Sequence, residues 1–411
     1  MTTLAAPSGS RAGRILVLVA VLLMSANLRS AVASMSPIFV FIGQDMALSV
    51  SAIAVLGMMP PLLFALCGVF TPVLVRRTSL ETATVVALVV QAIGLVVRTV
   101  APESSVLILG SALVFGGIGM GNVLLPPLIK RHFPDHIAVM TSVYLTLMAI
   151  GTFVPAFMAV PVAEAAGWRA SSGVWALLGL IAIVPWVIIA VQQRRAHVQA
   201  LSDDGPAVEE AEPAVLGKMW RSPVAWAITI VFSVSSMNAY LMFSWLPSML
   251  IDTAGLSAGE AGALMGVFAF MGMPTALLVP MIATRLGSVS KIIYFGVICG
   301  LIGYAGLWLL PTTATWVWVV LLGLIPTLFP VALLLVNRRT RSHRSAVALS
   351  GFAQSVGYCL GGLGPLLVGV LHDVTGGWTT SYVVMMVLLL AAVWAARVLR
   401  VPRPVEADWE K

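Results

Sequence analysis

Residues 15 to 42 read ILVLVAVLLMSANLRSAVASMSPIFVFI, and this stretch decides the fold. Crossing about 30 Å of hydrocarbon takes roughly 20 apolar residues in a helix, and here a run of that length is interrupted by a single charge, Arg29. Comparable runs follow at 51–75, 80–100, 104–129, 136–163, 170–191, 223–251, 257–283, 289–310, 313–337, 344–372 and 378–398. The 411 residues are 60% hydrophobic and 9% charged, where an ordinary globular domain carries about a quarter charged residues. In lipid only helices and closed barrels satisfy the backbone, and these runs are too long for barrel strands. The expected fold is therefore an all-α polytopic membrane protein with twelve transmembrane helices.

The net charge of +7 does not point to nucleic acid, because the basic residues follow topology and form no single patch. With the N-terminus inside, Arg11, Arg14, Arg76, Arg77, Lys130, Arg131, the linker, Arg285, Lys291, Arg338 to Arg344 and the tail all fall on one side. Arg98 and Arg169 are left on the other side and Arg29 in the bilayer. The positive-inside rule then puts both termini in the cytoplasm. Ala31-Val32-Ala33 mimics a signal-peptidase site, but the apolar run before it is too long for a signal peptide and eleven more follow. Cys67, Cys299 and Cys359 lie within spans and imply no disulfide framework.

Sliding the chain on itself by 208 to 210 positions aligns Leu48-Ser49 with Leu256-Ser257, Pro72 with Pro280 and Arg77 with Arg285. The same offset aligns Arg131 with Arg341, Gly151 with Gly361, Pro155 with Pro365, and Gly167-Trp168 with Gly377-Trp378. The expected organisation is a six-helix bundle over 1–192, a polar linker over 193–222, a second bundle over 223–398 and a tail over 399–411.

Two six-helix halves in parallel repeat, joined by a cytoplasmic linker, resemble the major facilitator superfamily of secondary transporters. The resemblance implies two pseudo-symmetric bundles rocking about a midplane site, with spans 1, 4, 7 and 10 lining the cavity. The superfamily's basic loop between spans 2 and 3 is only partly matched: Gly68 to Arg77 keeps Arg76-Arg77 but has Pro72 where an acid is expected, and the second copy has Thr284 for the Asp. Asn27-Leu28-Arg29, the string Gly119-Met120-Gly121-Asn122-Val123-Leu124-Leu125-Pro126, Lys130-Arg131 and Phe133-Pro134 are similar to the cyanate and 2-nitroimidazole transporter family. That likeness implies a small, planar or linear, polar cargo.

Arg29 stands 14 residues past Ile15, about 21 Å along the helix. An intramembrane Arg usually faces a cavity or a partner, and no Asp or Glu lies comparably deep in any span. It either recognises an electronegative solute with its fork of donors or clamps freed carbonyls or an outer-end acid such as Glu164, Glu260 or Asp373. Asn27, two residues away, points about 200° around the helix, so it joins Arg29 only if span 1 unwinds; otherwise it is an interhelical hydrogen bond. In span 4, Pro126 frees the carbonyl of Asn122 beside its own side-chain amide. Span 7 offers Asn238, Tyr240 and Trp245, an amide and an indole seven residues apart on one face, although Trp245 also suits an interfacial belt. Gln354 and Tyr358 stand four apart on span 11; Gln91 and Tyr144 are weaker candidates.

No nucleophile, acid pair or metal cluster supports an enzyme. His132 and His136 are separated by Pro134 and read as a loop. The expectation is a cofactor-free monomeric carrier in a bacterial cytoplasmic membrane, importing or exchanging a small polar or anionic solute with or without a coupled proton. Efflux of a drug-like compound on the same fold, and a channel, are the rival readings; no midplane carboxylate relay is present for proton coupling.

Overall fold

The computed structural model describes residues 11–199, 217–285 and 289–409, and their regular structure is helical. Span 1 is made of Arg11–Ala33 and Phe39–Asp45 joined by a 3-10 turn, Ser36–Ile38. Spans 2 to 4 are Val50–Arg77, Leu80–Thr99 and Ser104–His132. One continuous assignment, Ile137–Gln199, has 63 residues and, if straight, would be about 95 Å long, three bilayer cores. Gly167 breaks it with φ 82° and ψ 159°, values open to glycine, so it is two antiparallel spans, 5 and 6.

Spans 7 to 9 are Pro223–Ala254, Ala258–Arg285 and Ser290–Leu309. Span 10 is split into Thr315–Gly323 and Leu328–Arg338 around the turn Ile325–Thr327, and spans 11 and 12 are His343–Thr375 and Thr379–Leu399. An even number of crossings returns both ends of the chain to one face, the terminal face. The first connection, residues 46–49, lies on the opposite face.

Span 10 was expected as one helix over 313–337, and its split is a correction. Pro326 and Pro330 lack the N–H groups that would reach the carbonyls of Leu322 and Pro326, so a turn of 3-10 helix carries the chain across. Pro37 acts likewise in span 1, where it leaves the Ala33 carbonyl without its helical partner. Pro126 and Pro127, in contrast, lie inside an unbroken span 4. Most of the expected linker, 200–216, lies outside the described residues.

Local chemistry sets the ends. Ser49, Ser79, Ser222 and Ser342 cap spans 2, 3, 7 and 11 by accepting from the backbone three residues on. Gly255 and Gly376, with φ 67° and 68°, end spans 7 and 11 in left-handed caps. Lateral packing uses missing side chains: a Cβ on Gly117 of span 4 would sit 2.6 Å from the Ala87 carbonyl oxygen of span 3.

Three apolar cores result among the described residues. One runs from Val17 to Ile189 and takes in buried Tyr240 from beyond the linker; a second runs from Met219 to Val405 and takes in Ala33, Ala54 and Ala156 from before it; a smaller third, from Met35 to Trp168, lies toward the opposite face of the first half. Where the groups of helices meet, Phe64 and Tyr358 touch at mid-depth and Phe153 packs on Phe270 at 5.5 Å. Closer to the opposite face, Val160 and Pro37 pack on Gly262, and Ala54 on Gly369.

Candidate functional site

Arg29 lies about one turn from the end of the first segment of span 1, four residues before the helix ends at Ala33. A cation is favoured there, where backbone carbonyls lose their helical partners. Its guanidinium carbon stands 5.8 Å from the centre of the Phe64 ring of span 2. The phenol groups of Tyr240 in span 7 and Tyr358 in span 11 lie close enough to interact with it electrostatically. The three rings meet edge to face in a closed triangle, with centroids 6.0 to 6.3 Å apart and planes at 66° to 84°. In this three-ring aromatic box the cation lies over one ring face, that of Phe64, with the two tyrosines beside it, at the seam of the two groups of helices. Among the described residues no carboxylate is shown paired with Arg29.

Toward the opposite face the box adjoins a small cavity lined by Val32, Met35 and Phe39 of span 1, Phe115 of span 4, and Tyr240 and Ser244 of span 7. It is large enough for a water and too small for an organic solute. Tyr240 is 6% exposed, while Arg29, Tyr358 and Gln354 are half-buried. The cleft is thus tight on the side of the opposite face.

The expected site residues divide accordingly. Arg29, Tyr240 and Tyr358 come together. Gln354 is one turn from Tyr358 toward the terminal face and donates to Ser350 Oγ at 2.8 Å. Asn122 is half-buried in span 4 with its Nδ2 unpartnered, one residue beyond Gly121, whose bare face meets Leu28 of span 1.

Asn27 is fully buried on another face of span 1. Its carbonyl accepts from Gln91 of span 3 at 3.1 Å, and its amide lies against Gly179 of span 6. Span 1 stays helical through both residues, so Asn27 points away from the box; its backbone carbonyl makes the bond to span 3, while its side-chain Nδ2 has no hydrogen-bond partner in the protein. Asn238 is likewise turned into its own bundle, donating to the Leu322 carbonyl at 3.2 Å and accepting from Tyr304 at 2.8 Å. Trp245 is 2% exposed and donates to the Pro365 carbonyl at 2.9 Å. It is neither an interfacial belt residue nor part of the box, and it ties span 7 to span 11. Tyr144 is half-buried in span 5.

Two residues escaped the sequence reading. Phe64 carries no signal, being one apolar residue in an apolar span. Arg98 was expected on the outer side with Arg169; it is instead fully buried, donating from Nε to Ser172 Oγ at 3.0 Å and from Nη1 to the Ala31 carbonyl at 3.1 Å. Its place one residue before the end of span 3 made it look solvated. Arg169 is exposed and pairs with Asp45 at 2.6 Å. Glu81 is buried at the start of span 3 against His132 at 3.1 Å and Arg131 at 3.4 Å.

The profile of the Major Facilitator Superfamily matches residues 15–362. The chain belongs to that superfamily. It is 31% identical over 382 residues to the 2-nitroimidazole transporter of Escherichia coli (strain K12), covering 92% of this chain and 93% of that one. It is 25% identical to the cyanate transport protein CynX of the same organism, over 89% and 92% of the two chains. Among solved structures it superposes with a TM-score of 0.73 on a bacterial homolog of the human lysosomal transporter Spinster, in an inward-facing and unoccupied conformation. That match covers 97% of this chain and 99% of the other at 16% identity, and so speaks to the fold alone. Family and relatives are named as transporters, and this is a multi-pass membrane transporter with the all-helical major facilitator fold.

Proposed function

We propose that this transporter is a secondary active carrier for a small, flat or linear, polar or anionic solute of the cyanate or nitroimidazole kind, with Arg29 as the recognition charge. The observation that carries the reading is the box itself. A guanidinium from span 1 sits at mid-depth with no shown carboxylate partner, beside aromatic rings drawn from spans 2, 7 and 11. Such rings accept a planar π-system, and the guanidinium fork matches a carboxylate, nitro group or small anion. A superfamily member is expected to line its cavity from spans 1, 4, 7 and 10; here spans 2 and 11 add Phe64 and Tyr358. Arg29, Tyr240 and Tyr358 form the contact set, with Gln354 and Asn122 flanking it.

The carrier works by alternating access between the bundles 1–192 and 223–398, which the segment 193–222 joins. It is a monomer in the bacterial cytoplasmic membrane with both termini and the tail 399–411 in the cytoplasm, as the basic-residue asymmetry requires. The tight packing above Arg29 supports a conformation that admits solute from the cytoplasmic side. Proton coupling, if used, rides on the cargo, since the acids lie toward the span ends and in the connecting segments.

The test is counterflow in proteoliposomes preloaded with 2-nitroimidazole or cyanate, for wild type, Arg29→Lys and Arg29→Ala. Saturable counterflow that falls about 10- to 100-fold in Arg29→Ala, the worth of a hydrogen bond to a charged group, supports the reading. Saturable counterflow unchanged in Arg29→Ala removes Arg29 from recognition, and unsaturable flux removes the carrier.

A further inference from the structure

We propose that Arg98 is a positioning residue: it holds the break in span 1 at the angle that lets the far segment of that span seal the Arg29 site. The inference rests on the carrier reading for its consequence in transport, and on geometry for its consequence in structure.

The break begins at Ala33, where the helix leaves carbonyls without partners. The Ser30 carbonyl is taken by the Ser34 N–H at 3.1 Å. The Ala31 carbonyl, two residues past Arg29, is taken by Arg98 Nη1 at 3.1 Å. Through Nε the same guanidinium holds Ser172, near the start of span 6, at 3.0 Å. Arg98 itself has little room to move, because span 4 presses on its backbone: a Cβ on Gly110 would lie 2.6 Å from the Arg98 amide nitrogen. One planar group therefore ties the end of the first segment of span 1 to spans 3 and 6, from a backbone that span 4 packs against.

Beyond the pin, the chain changes partner. Pro37 approaches Gly262 of span 8, and Met35 and Phe39 close the cavity against Tyr240 and Ser244 of span 7. The turn at the break thus lies against spans 7 and 8, and the angle at residues 33 to 39 sets whether Met35 and the first residue of the far segment, Phe39, close the cavity. The energetics argue for a geometric task. Arg98 is 0% exposed, its Nη2 has no protein partner, and no carboxylate among the described residues is shown paired with it. A buried cation compensated only by a carbonyl and a hydroxyl is expensive, and an apolar side chain of similar length often fills such a place at equal or better stability.

The test uses the full chain with Cys67, Cys299 and Cys359 replaced by Ala. Spin labels go at Gly43→Cys and Gly259→Cys, positions where an added side chain meets open space or only a distant hydroxyl. Arg98→Met, Arg98→Lys and Ser172→Ala are compared with wild type. The expected result is a 43–259 distance distribution broadened and shifted in Arg98→Met, and partly restored in Arg98→Lys, which keeps a donor but not the fork. With 2-nitroimidazole as probe, the maximal counterflow rate of Arg98→Met falls at least about 10-fold while KM stays within about 3-fold, unlike Arg29→Ala, whose KM rises.

An unchanged distance distribution in Arg98→Met overturns the inference, as does a loss of transport that appears in KM alone. Should Arg98→Met fail to fold, Ser172→Ala and Arg98→Lys decide on the same distances. Should wild type not carry 2-nitroimidazole, the cargo reading fails while the distances still judge Arg98.

Discussion

Trp378 donates its indole N–H to Asp252 at 3.0 Å, and Trp168 donates to Asp45 at 2.8 Å in the matching corner of the first half. In each case the start of a half's last span is tied to the end of its first. The aligned Gly167-Trp168 and Gly377-Trp378 thus mark the same corner twice. Trp378→Phe keeps a ring against His372, at 4.1 Å, and Trp245, at 5.5 Å, but loses the donor. Because Asp252 is exposed, the cost is about 1 kcal/mol, a fall in thermal midpoint of about 2 °C in detergent. Trp168→Phe costs less, since Arg169 still holds Asp45. Equal losses, or a larger one for Trp168→Phe, would count against this accounting.

Phe64 supplies a wall of the box that no polar residue marks. Replacing it with Leu keeps the apolar volume but removes the ring face 5.8 Å from the Arg29 guanidinium and the edge contacts to both tyrosines. A cation–π contact is worth about 0.5–1 kcal/mol, so the KM for 2-nitroimidazole counterflow rises about 2- to 5-fold in Phe64→Leu. Phe64→Tyr, which retains the ring, stays closer to wild type. A larger defect in Phe64→Tyr than in Phe64→Leu would show that volume, and not the ring face, matters there.

The fold was readable because hydropathy averages over whole spans, and the repeat was readable because corner residues such as Trp168 and Trp378 do equivalent work. The site was readable only in part. Asn238 and Tyr240 are two residues apart, so on a helix they point about 200° from one another, and only one can face the seam. Tyr240 does, while Asn238 turns to Tyr304; Arg29 and Asn27 divide in the same way. Periodicity states which residues share a face but not which neighbour that face meets. Arg98 was hidden by its place near a helix end, where exposure is the ordinary outcome.

Gly57 marks a close approach of span 2 to the second bundle. A Cβ there would collide with Ser244 of span 7 and lie 2.9 Å from Pro365 of span 11. Gly57→Val therefore forces the two groups of helices apart on the opposite face and shifts the population toward a state open there. In vesicles oriented with the opposite face outward, a cysteine in place of Leu56, which lines the cavity beside Gly57, reacts several-fold faster with an impermeant maleimide when Gly57 is Val. Slower or unchanged labelling would mean that the helices repack without parting.

The tail is built into the fold. Val405 donates to the Arg339 carbonyl at 2.8 Å, Ser222 donates to Asp408 at 2.6 Å, and Glu406 accepts from the backbone of Arg341 at 2.8 Å and of Ser342 at 3.4 Å, next to the start of span 11. Burial works to raise the Glu406 carboxyl, yet these backbone donors, with Ser345, hold it below the usual glutamate range. A depressed folded pKa stabilises the folded form above the unfolded value, about 4.3, and that contribution is lost as pH falls through the folded value. Docking of residues 401–409 is therefore flat between pH 8 and 5 and weakens only under stronger acid. Glu406→Gln, which keeps the shape but not the charge, loosens the tail at neutral pH. Hydrogen exchange of the C-terminal peptide, corrected for intrinsic rates, checks both: wild type shows constant protection across pH 5 to 8 and Glu406→Gln exchanges several-fold faster throughout. Loss of wild-type protection between pH 8 and 6 would assign the latch to another titrating group.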